Sequence, residues 1–358
     1  MNRSLSREVN VAESKVKRIS IRRTGYANAF FFILLIAVFL FSFTVGSYKL
    51  SFREVFEIFY CKITGTPDPY GADVDSVLFI VRMPRIFAAM IIGCALSAAG
   101  SAYQGLFRNP MVAPDILGAS GGAGLGAAIG LFLSLNAVEV QLLSFLFGLG
   151  AVLAAIGISS FVNRSAGGSL LSLILTGMVV ASLAQALISL IKFAGDPENK
   201  LPEITFWLMG GLSTITVSDV FFLFIPVMIG IIPLYLLKWK LNSLSFGDEE
   251  AAALGINTNR MKIIVIVCCT LITAASVSVA GIIGWIGLII PHFARMIVGP
   301  NYKAALPASI LIGSIYLLLV DDMARSLFTT EIPLGILTSL IGAPFFIYLL
   351  LKGRRGWA

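Results

Sequence analysis

Ten apolar runs, separated by short polar or Gly/Pro-marked breaks, constrain this chain more than any other feature of its sequence. About 20 apolar residues cross a bilayer core as a helix, since a backbone in lipid must satisfy its own hydrogen bonds. The runs therefore predict an all-α polytopic membrane protein with about ten transmembrane helices. Eight helices remain an alternative, and the break at residues 281–284 is either a loop or a bend in one continuous helix. The runs lie at 29–46, 86–104, 112–134, 141–162, 170–194, 219–237, 263–282, 284–298, 306–322 and 333–352.

The charged residues are few, and ten of the 26 basic ones lie at the two ends of the chain. Only 13% of the 358 residues are charged, whereas a soluble domain carries about a quarter. Seven Lys and Arg residues lie in segment 1–28 and three more in 352–355. By the positive-inside tendency we expect both termini to be cytoplasmic. We therefore expect a basic cytoplasmic extension, 1–28, before a transmembrane domain, 29–355. The basic tail could in addition bind anionic membrane lipid, and no nucleic-acid partner is expected.

The stretch NPMVAPDILGASGGAGLGAAIG, residues 109–130, contains four glycines at intervals of four. On a helix such glycines form one narrow stripe that lets a neighbouring backbone approach closely, so we expect helix packing. Phosphate binding is the weaker alternative, because no G-x-x-x-x-G-K-[ST] lysine is present and the G-x-G-x-x-G spacing fails at Ala127. Asp115 is expected to cap the helix that follows it, or else to line a solute path. The four glycines are Gly118, Gly122, Gly126 and Gly130.

Metal and catalytic chemistry find little support in the sequence. His292 is the only histidine, and no cysteine or carboxylate cluster lies beside it, so no metal site is expected. The apolar runs contain no constellation of acids and bases that would suggest an enzyme. No Walker motif occurs, so any ATP hydrolysis has to come from another chain. We expect no cofactor in this chain.

Four segments in combination are more specific than any single motif: VRMPRIFAAMIIGCALSAAGSAYQGLFRNP, ALGINTNRMK, GWIGLIIPHFARMIVG and DDMARSLFTTEIPLGILTSLIGAPFF. They resemble the FecCD-type permeases of ABC importers for iron chelates and vitamin B12, in order and spacing, over roughly residues 30–355. The basic extension departs from the pattern. The resemblance implies a type II importer permease of ten helices that dimerises around a central path with an identical or related subunit. It also implies an ATPase dimer that binds ATP and Mg, and an extracytoplasmic solute-binding protein.

Three arginines are candidate docking residues. Alternation from a cytoplasmic N-terminus places Arg82, Arg85 and Arg325 on the same outer face. The resemblance implies that they meet acidic residues of the binding protein, and charge-assisted pairing suits reversible docking. Two alternatives stay open. The arginines could anchor helix ends at lipid headgroups, or Arg325 could pair with Asp321 or Asp322 one helical turn away.

The inner segment 238–262 predicts a short helix. Ser245 or Asp248 can cap it, and Gly255 can end it. The resemblance implies that this is the coupling helix, which seats in the ATPase; an ordinary capped loop helix is the alternative. The residues assigned to coupling are Asp248, Glu249, Glu250, Ala251, Ala252, Ala253, Leu254 and Gly255.

The solute path is harder to derive from sequence. The resemblance implies that the fifth and tenth helices line it, and polar residues at such depth either line a path or hold helices together. The turn 169–171 at the inner mouth is a candidate gate. The pathway candidates are Thr176, Ser182, Gln185, Ser189, Thr338 and Ser339.

The function expected from these features is that of a permease subunit in an ATP-driven importer. The expected cargo is a metal chelate, most simply a ferric siderophore, with cobalamin or haem as alternatives. An ion-coupled secondary transporter is a further alternative, against which the scarcity of acids in the spans argues.

Overall fold

A computed structural model of the protein describes residues 25–46, 48, 50–66, 70–163, 170–328 and 330–353. Within these ranges the structure contains helices, turns and loops and no strand, so the expected all-α fold is confirmed. Residues 1–24 of the predicted basic extension, and Ser169 of the predicted inner turn, lie outside the described residues. The helices are α1 (Gly25–Ser42), α2 (Phe52–Thr64), α3 (Ala72–Asp75), α4 (Met83–Leu106), α5 (Ala119–Phe132), α6 (Ala137–Asn163), α7 (Leu170–Ala194), α8 (Lys200–Leu208), α9 (Val217–Leu236), α10 (Lys238–Leu244), α11 (Asp248–Ala253), α12 (Thr258–Ala280), α13 (Ile286–Val298), α14 (Tyr302–Ala324) and α15 (Leu334–Gly353).

The membrane-crossing helices occupy the positions of the ten predicted runs. In the described part of the chain, seven helices are long and apolar enough to span, and three shorter apolar helices, α5, α13 and α15, complete the set. Of the two alternatives for residues 281–284, a loop or a bend in one helix, the bend is wrong. The chain breaks between α12 and α13, where Gly281 and Trp285 both have positive φ, +68° and +70°. A continuous helix cannot hold such residues, so the break is a loop.

The span that contains α4 starts earlier than predicted. A π-helical turn, Ser76–Arg82, joins α3 to α4, so that one apolar helical segment runs from Asp73 to Leu106. A π-turn adds a residue to the helical repeat and so changes the direction in which the following side chains point. This turn sets the direction of Arg82 relative to Arg85.

An inner bundle of α4, α12, α13 and α14 forms the core. A Cβ added at Gly93 would lie 2.2 Å from the carbonyl oxygen of Gly313, and one added at Gly100 only 1.8 Å from that of Gly287. These helices therefore touch backbone against backbone, as small residues allow in membrane proteins. No larger residue fits at either crossing.

Three of the four glycines in the predicted stripe pack against a neighbouring helix. An added Cβ would lie 2.5 Å from Ala151 Cβ at Gly122 and 2.4 Å from the Leu143 carbonyl at Gly126, so both face α6. Gly130 also faces α6, against Val140 at 3.0 Å. Gly118 departs from the stripe because it precedes the helix as its N-cap, with φ +86°. Its nearest neighbour is the carbonyl of Gly177 on α7.

The bundle has two ends with different chemistry. We call the end where α1 and α14 finish and α4 and α15 begin the arginine end, because Arg82, Arg85 and Arg325 lie there. We call the opposite end the loop-helix end, because it contains α10 and α11. There Asn242 Oδ1 accepts a hydrogen bond from the backbone N–H of Tyr302 at 2.8 Å, which ties α10 to the start of α14.

Candidate functional site: the two ends of the bundle

The three predicted docking arginines lie together at the arginine end, and all are buried. Arg82 and Arg85 are each 4% exposed and Arg325 is 5% exposed. A buried guanidinium must be paired, because an unpaired buried charge is very costly. Each of the three has partners within the chain.

Arg85, near the start of α4, holds two carboxylates at once. Its Nε donates to both oxygens of Asp321, at 2.9 and 3.0 Å, and its Nη1 donates to both oxygens of Glu331, at 2.8 Å each. Asp321 is fully buried on α14, whereas the Glu331 side chain is 42% exposed on the segment before α15. Arg85 therefore joins three parts of the fold: α4, α14 and the beginning of α15.

Arg82 is held by main-chain oxygens. Its two terminal nitrogens donate to the carbonyls of Phe43 and Tyr48, in the segment that follows α1. This geometry fixes the end of α1 against the start of α4.

Arg325, just past α14, completes the cluster. Its Nη2 donates to the carbonyl and hydroxyl oxygens of Ser42, both at 2.7 Å, and to Asp322. Its Nε lies 3.7 Å from Asp321 Oδ2. The alternative in which Arg325 pairs with Asp321 or Asp322 is thus present in the structure. Docking of a partner on these arginines stays a prediction.

Glu331 is a member of the cluster that sequence reasoning missed. The signal was available: Glu331 lies in TTEIPLG, two residues before Pro333, at the outer start of the last apolar run. A lone acid beside outer arginines is a natural partner for one of them. With Asp321 and Asp322 it gives three acids to three arginines, so the cluster has no net formal charge.

A cavity of about 410 Å³ opens at the arginine end. Arg85, Glu203 and Glu331 contribute its charged side chains, and the rest of the lining comes from Leu131 and from 206–207, 210–214, 279–281 and 332–334. Main-chain hydrogen bonds close one side of it, from Leu334 N to the Gly210 carbonyl at 2.9 Å and from Gly335 N to the Met209 carbonyl at 3.0 Å. The start of α15 is thereby tied to the loop after α8.

At the loop-helix end, α11 forms where the sequence predicts a short helix. Gly255, with φ +76°, ends it: Gly255 N donates to the Ala252 carbonyl and Ile256 N to the Ala251 carbonyl, as in a Schellman motif. The predicted cap is wrong. Gly247 is the N-cap, and neither Ser245 nor Asp248 caps the helix. Asp248 instead pairs with Lys262 on α12, at 2.5 Å.

The exposed surface of α11 combines acidic and apolar groups. Ala251 and Ile256 are buried and seat the helix on the bundle. Leu254 is 63% exposed, and Glu249 and Glu250 are also exposed. The remaining residues assigned to coupling, Ala252, Ala253 and Gly255, are exposed as well. Contact of this surface with an ATPase stays a prediction.

The pathway candidates of α7 share one open face. Ser182, Gln185 and Ser189 are exposed at a spacing of three and four residues. The two serine hydroxyls donate to the carbonyls four residues earlier, at 2.8 and 2.9 Å, so neither hydroxyl binds a neighbouring helix. Thr176 differs in that it is half-buried and that its hydroxyl, 2.9 Å from the Ser172 carbonyl of its own helix, also lies 3.1 Å from the Ala155 carbonyl of α6.

The two candidates on α15 separate. Thr338 is fully buried and donates to the Gly335 carbonyl at 3.3 Å, so it faces the interior of this chain. Ser339 is half-buried and lines a cavity of about 500 Å³ together with Leu208 and Ile282. Of this pair only Ser339 lines that cavity, and a pathway role for either residue stays a prediction.

A metal site does not emerge from the described residues. Among them no group of three or more His, Cys, Asp or Glu is placed to hold a metal ion. His292 is half-buried on α13.

The whole length of the bundle corresponds to one known family. Residues 34–352 match the FecCD transport family. The chain belongs to this family. Its fold is accordingly that of an ABC importer permease, and it is a transport subunit rather than an enzyme, with ATP hydrolysis in a separate subunit.

Individual relatives agree over nearly their full length. The chain is 41% identical to the molybdate import system permease protein MolB of Haemophilus influenzae, over 90% of this chain and 95% of the relative. It is 39% identical to a probable iron chelatin transport system permease protein of Helicobacter pylori, over 90% and 96%. A solved structure assigned to a metal-chelate type ABC transporter, in an inward-facing conformation, matches with a TM-score of 0.80 and 38% identity. That match covers 91% of this chain and 98% of that chain.

Proposed function

We propose that this chain is the permease subunit of an ATP-driven importer that carries a metal chelate, most simply a ferric siderophore, into the cytoplasm. As an ABC importer permease it works with an ATPase and a second permease subunit. In the proposal the ATPase binds ATP and Mg, and the chain itself needs no cofactor. The permease lies in a bacterial or archaeal cell membrane, with both termini and the loop-helix end in the cytoplasm. A solute-binding protein delivers the chelate at the arginine end.

The observation that carries the proposal is the form of α11. It is a short helix, ended at Gly255 and seated through Ala251, which exposes Glu249, Glu250 and Leu254. The Asp248–Lys262 pair connects it to α12, and the Asn242–Tyr302 hydrogen bond connects the neighbouring α10 to α14. An ATPase that moves α11 would therefore move two helices of the inner bundle. This is the mechanical role that coupling requires.

The uncharged open face of α7 supports a chelate as the cargo. From 171 to 190 this helix contains no charged residue, and its exposed polar groups are the neutral side chains of Ser182, Gln185 and Ser189. A chelate encloses its metal, and its outer surface can pass neutral hydroxyls and amides. A bare metal ion would need several charged or imidazole ligands along the same path.

A small oxyanion is the second candidate, because the relative at 41% identity is named for molybdate import. A bare dianion would be expected to require cationic or converging N–H donors along its path, in place of an uncharged face. Because two further relatives are named for hemin and cobalamin import, these two chelates are alternative cargoes.

Reconstitution in liposomes tests the proposal. The chain, its ATPase and its binding protein would be reconstituted together, and uptake of a radiolabelled ferric siderophore would be measured. ATP would be supplied either on the side of the membrane that bears the ATPase or on the opposite side. We expect uptake that depends on ATP and on the binding protein. Uptake driven by a proton or sodium gradient alone would contradict the importer assignment. If molybdate, hemin or cobalamin at equal concentration inhibited siderophore uptake, that compound would replace the siderophore as the assigned cargo.

A further inference from the structure

The two carboxylates on Arg85 differ in how tightly they are held. Asp321 lies on α14, is fully buried and also lies 3.7 Å from Arg325. If it withdrew, it would leave buried charges without partners, which is strongly unfavourable. Glu331 lies on the segment between α14 and α15, and its side chain is 42% exposed. If Glu331 leaves, water can solvate its exposed carboxylate, and Arg85 keeps its buried pair with Asp321.

The approach to Arg85 is blocked by Glu331. The Arg85 side chain is 5% exposed and lines the cavity at the arginine end together with Glu331, and Nη1 donates to both Glu331 oxygens at 2.8 Å. Nε is occupied on the buried side by Asp321. An acidic group from outside the chain would therefore reach Nη1 by taking the place of Glu331.

The other two arginines offer no similar place. Arg82 donates to the carbonyls of Phe43 and Tyr48, which belong to the main chain. Arg325 donates to Ser42 and to Asp322, whose side chain is 6% exposed. Within the described cluster, Glu331 is the carboxylate partner with the most exposed side chain.

Release of Glu331 would act on the start of α15. Glu331 precedes Leu334 by three residues, and Leu334 and Gly335 bind the loop after α8 through their backbone N–H groups. While Glu331 holds Arg85, this junction is fixed to α4. Once Glu331 is released, the junction keeps its contacts with the α8 loop and loses its tie to α4.

We infer that Glu331 stands in for an acidic group of the docking binding protein, and that docking exchanges one carboxylate for the other on Arg85 Nη1. This inference rests on the proposed function, in which a binding protein docks at the arginine end. It assigns Glu331 as the residue that sets docking affinity by competition. It also connects docking to release of the first turn of α15.

Affinity measurements on the complete transporter in nanodiscs test the exchange. The probe is the solute-binding protein of the same transporter, titrated by biolayer interferometry. Glu331→Gln removes the competing charge, so we expect binding to tighten about threefold to fivefold, the range of an exposed ion pair. Glu203→Gln is the matched control, since it removes the same charge from the same cavity but pairs with Lys200, and we expect less than a twofold change.

The outcomes distinguish the carboxylate exchange from docking of the binding protein at Arg85. Equal tightening in both variants would mean that cavity charge alone matters, and it would overturn the exchange. Arg85→Lys keeps the charge and removes the two-point geometry. If it weakens binding while Glu331→Gln has no effect, docking at Arg85 stands and the exchange is wrong. If neither variant changes affinity, docking at Arg85 fails as well.

A distance measurement checks the exchange independently of affinity. Spin labels at Ile80 and Thr330, both exposed, report on the start of α4 and on the Glu331 segment. We expect the distance between them to widen when the binding protein is added to the otherwise unaltered transporter. An unchanged distance at saturating binding protein would contradict the release of Glu331.

Discussion

Helices α7 and α12 are similar in length and apolarity, but they differ in how much of their surface is buried within the chain. They contain 25 and 23 residues, and both are long and apolar enough to span a membrane. Yet 17% of the spanning window of α7 is buried within the chain, against 78% for α12. Apolarity therefore identifies a span, but it does not say whether lipid, a second subunit or the same chain covers it.

Residue size distinguishes the two helices better than apolarity does. Small residues such as Ala274, Ala275 and Ser276 fill the contact surface of α12. Large ones, Leu183 and Phe193 among them, stand open on α7. Small side chains let backbones approach, so a helix rich in them is suited to the interior.

The largest effect is expected at the crossing of α4 and α13 in the inner bundle. Gly100→Val would place its Cβ 1.8 Å from the Gly287 carbonyl, and neither backbone can move away, so we expect loss of folded protein. Gly150→Val on α6 is the control, because an added Cβ there meets nothing within 4 Å. The monodisperse yield after detergent extraction measures both. Normal yield of the Gly100 variant would show that the bundle is looser than described.

A somewhat smaller loss of folding stability is expected when the fully buried carboxylate of the arginine cluster is changed. Asp321→Asn leaves Arg85 and Arg325 without their shared anion, and breaking a buried pair costs about 3–5 kcal/mol. Glu331→Gln removes a half-exposed partner and should cost about 0–1 kcal/mol. Unfolding midpoints in one detergent compare the two variants. Equal midpoints would mean that burial does not separate these carboxylates.

A matched alanine pair tests the comparison directly. Ala275→Leu overfills a fully buried site on α12, which typically costs about 1–3 kcal/mol. Ala186→Leu makes the same change on the open face of α7, where we expect a change within about 0.5 kcal/mol. Thermal unfolding of the purified chain resolves this difference. If Ala186→Leu lowered the stability of the permease dimer strongly but left that of the single chain unchanged, this face of α7 would contact the second subunit.

The smallest effect on stability is expected at Gln185, where function should respond instead. Gln185→Leu removes an exposed amide from α7, so unfolding should shift by less than about 0.5 kcal/mol. Uptake of the chelate should fall several-fold if this face lines the path. Leu183→Ala on the same helix is the control. If uptake is unchanged in both variants, the α7 face meets lipid rather than solute.

The sequence predicted the number and positions of the spans because apolar length is a local property. It also predicted the end of α11, since Gly255 adopts a positive φ that few other residues tolerate. The N-terminal cap was misassigned because Gly247 offers the same backbone position without a side chain. Asp248, free of that task, pairs with Lys262.

What the sequence could not predict depends on distant parts of the chain. The partners of Arg85 lie 236 and 246 positions away, so its burial follows from the way α14 and α15 return to α4. The orientation of Thr338 is a similar case. Whether a polar residue of an apolar helix faces inward depends on which neighbours the helix acquires.

The glycine crossings of the inner bundle have a mechanical consequence. At Gly93 and Gly100 one main chain rests on another, with no side chain between them whose rotamer could absorb sliding. The helices joined there should turn as a single rigid body. Bending during a transport cycle should then fall on non-helical joints such as residues 281–285 and 330–333, where a conformational probe would detect it.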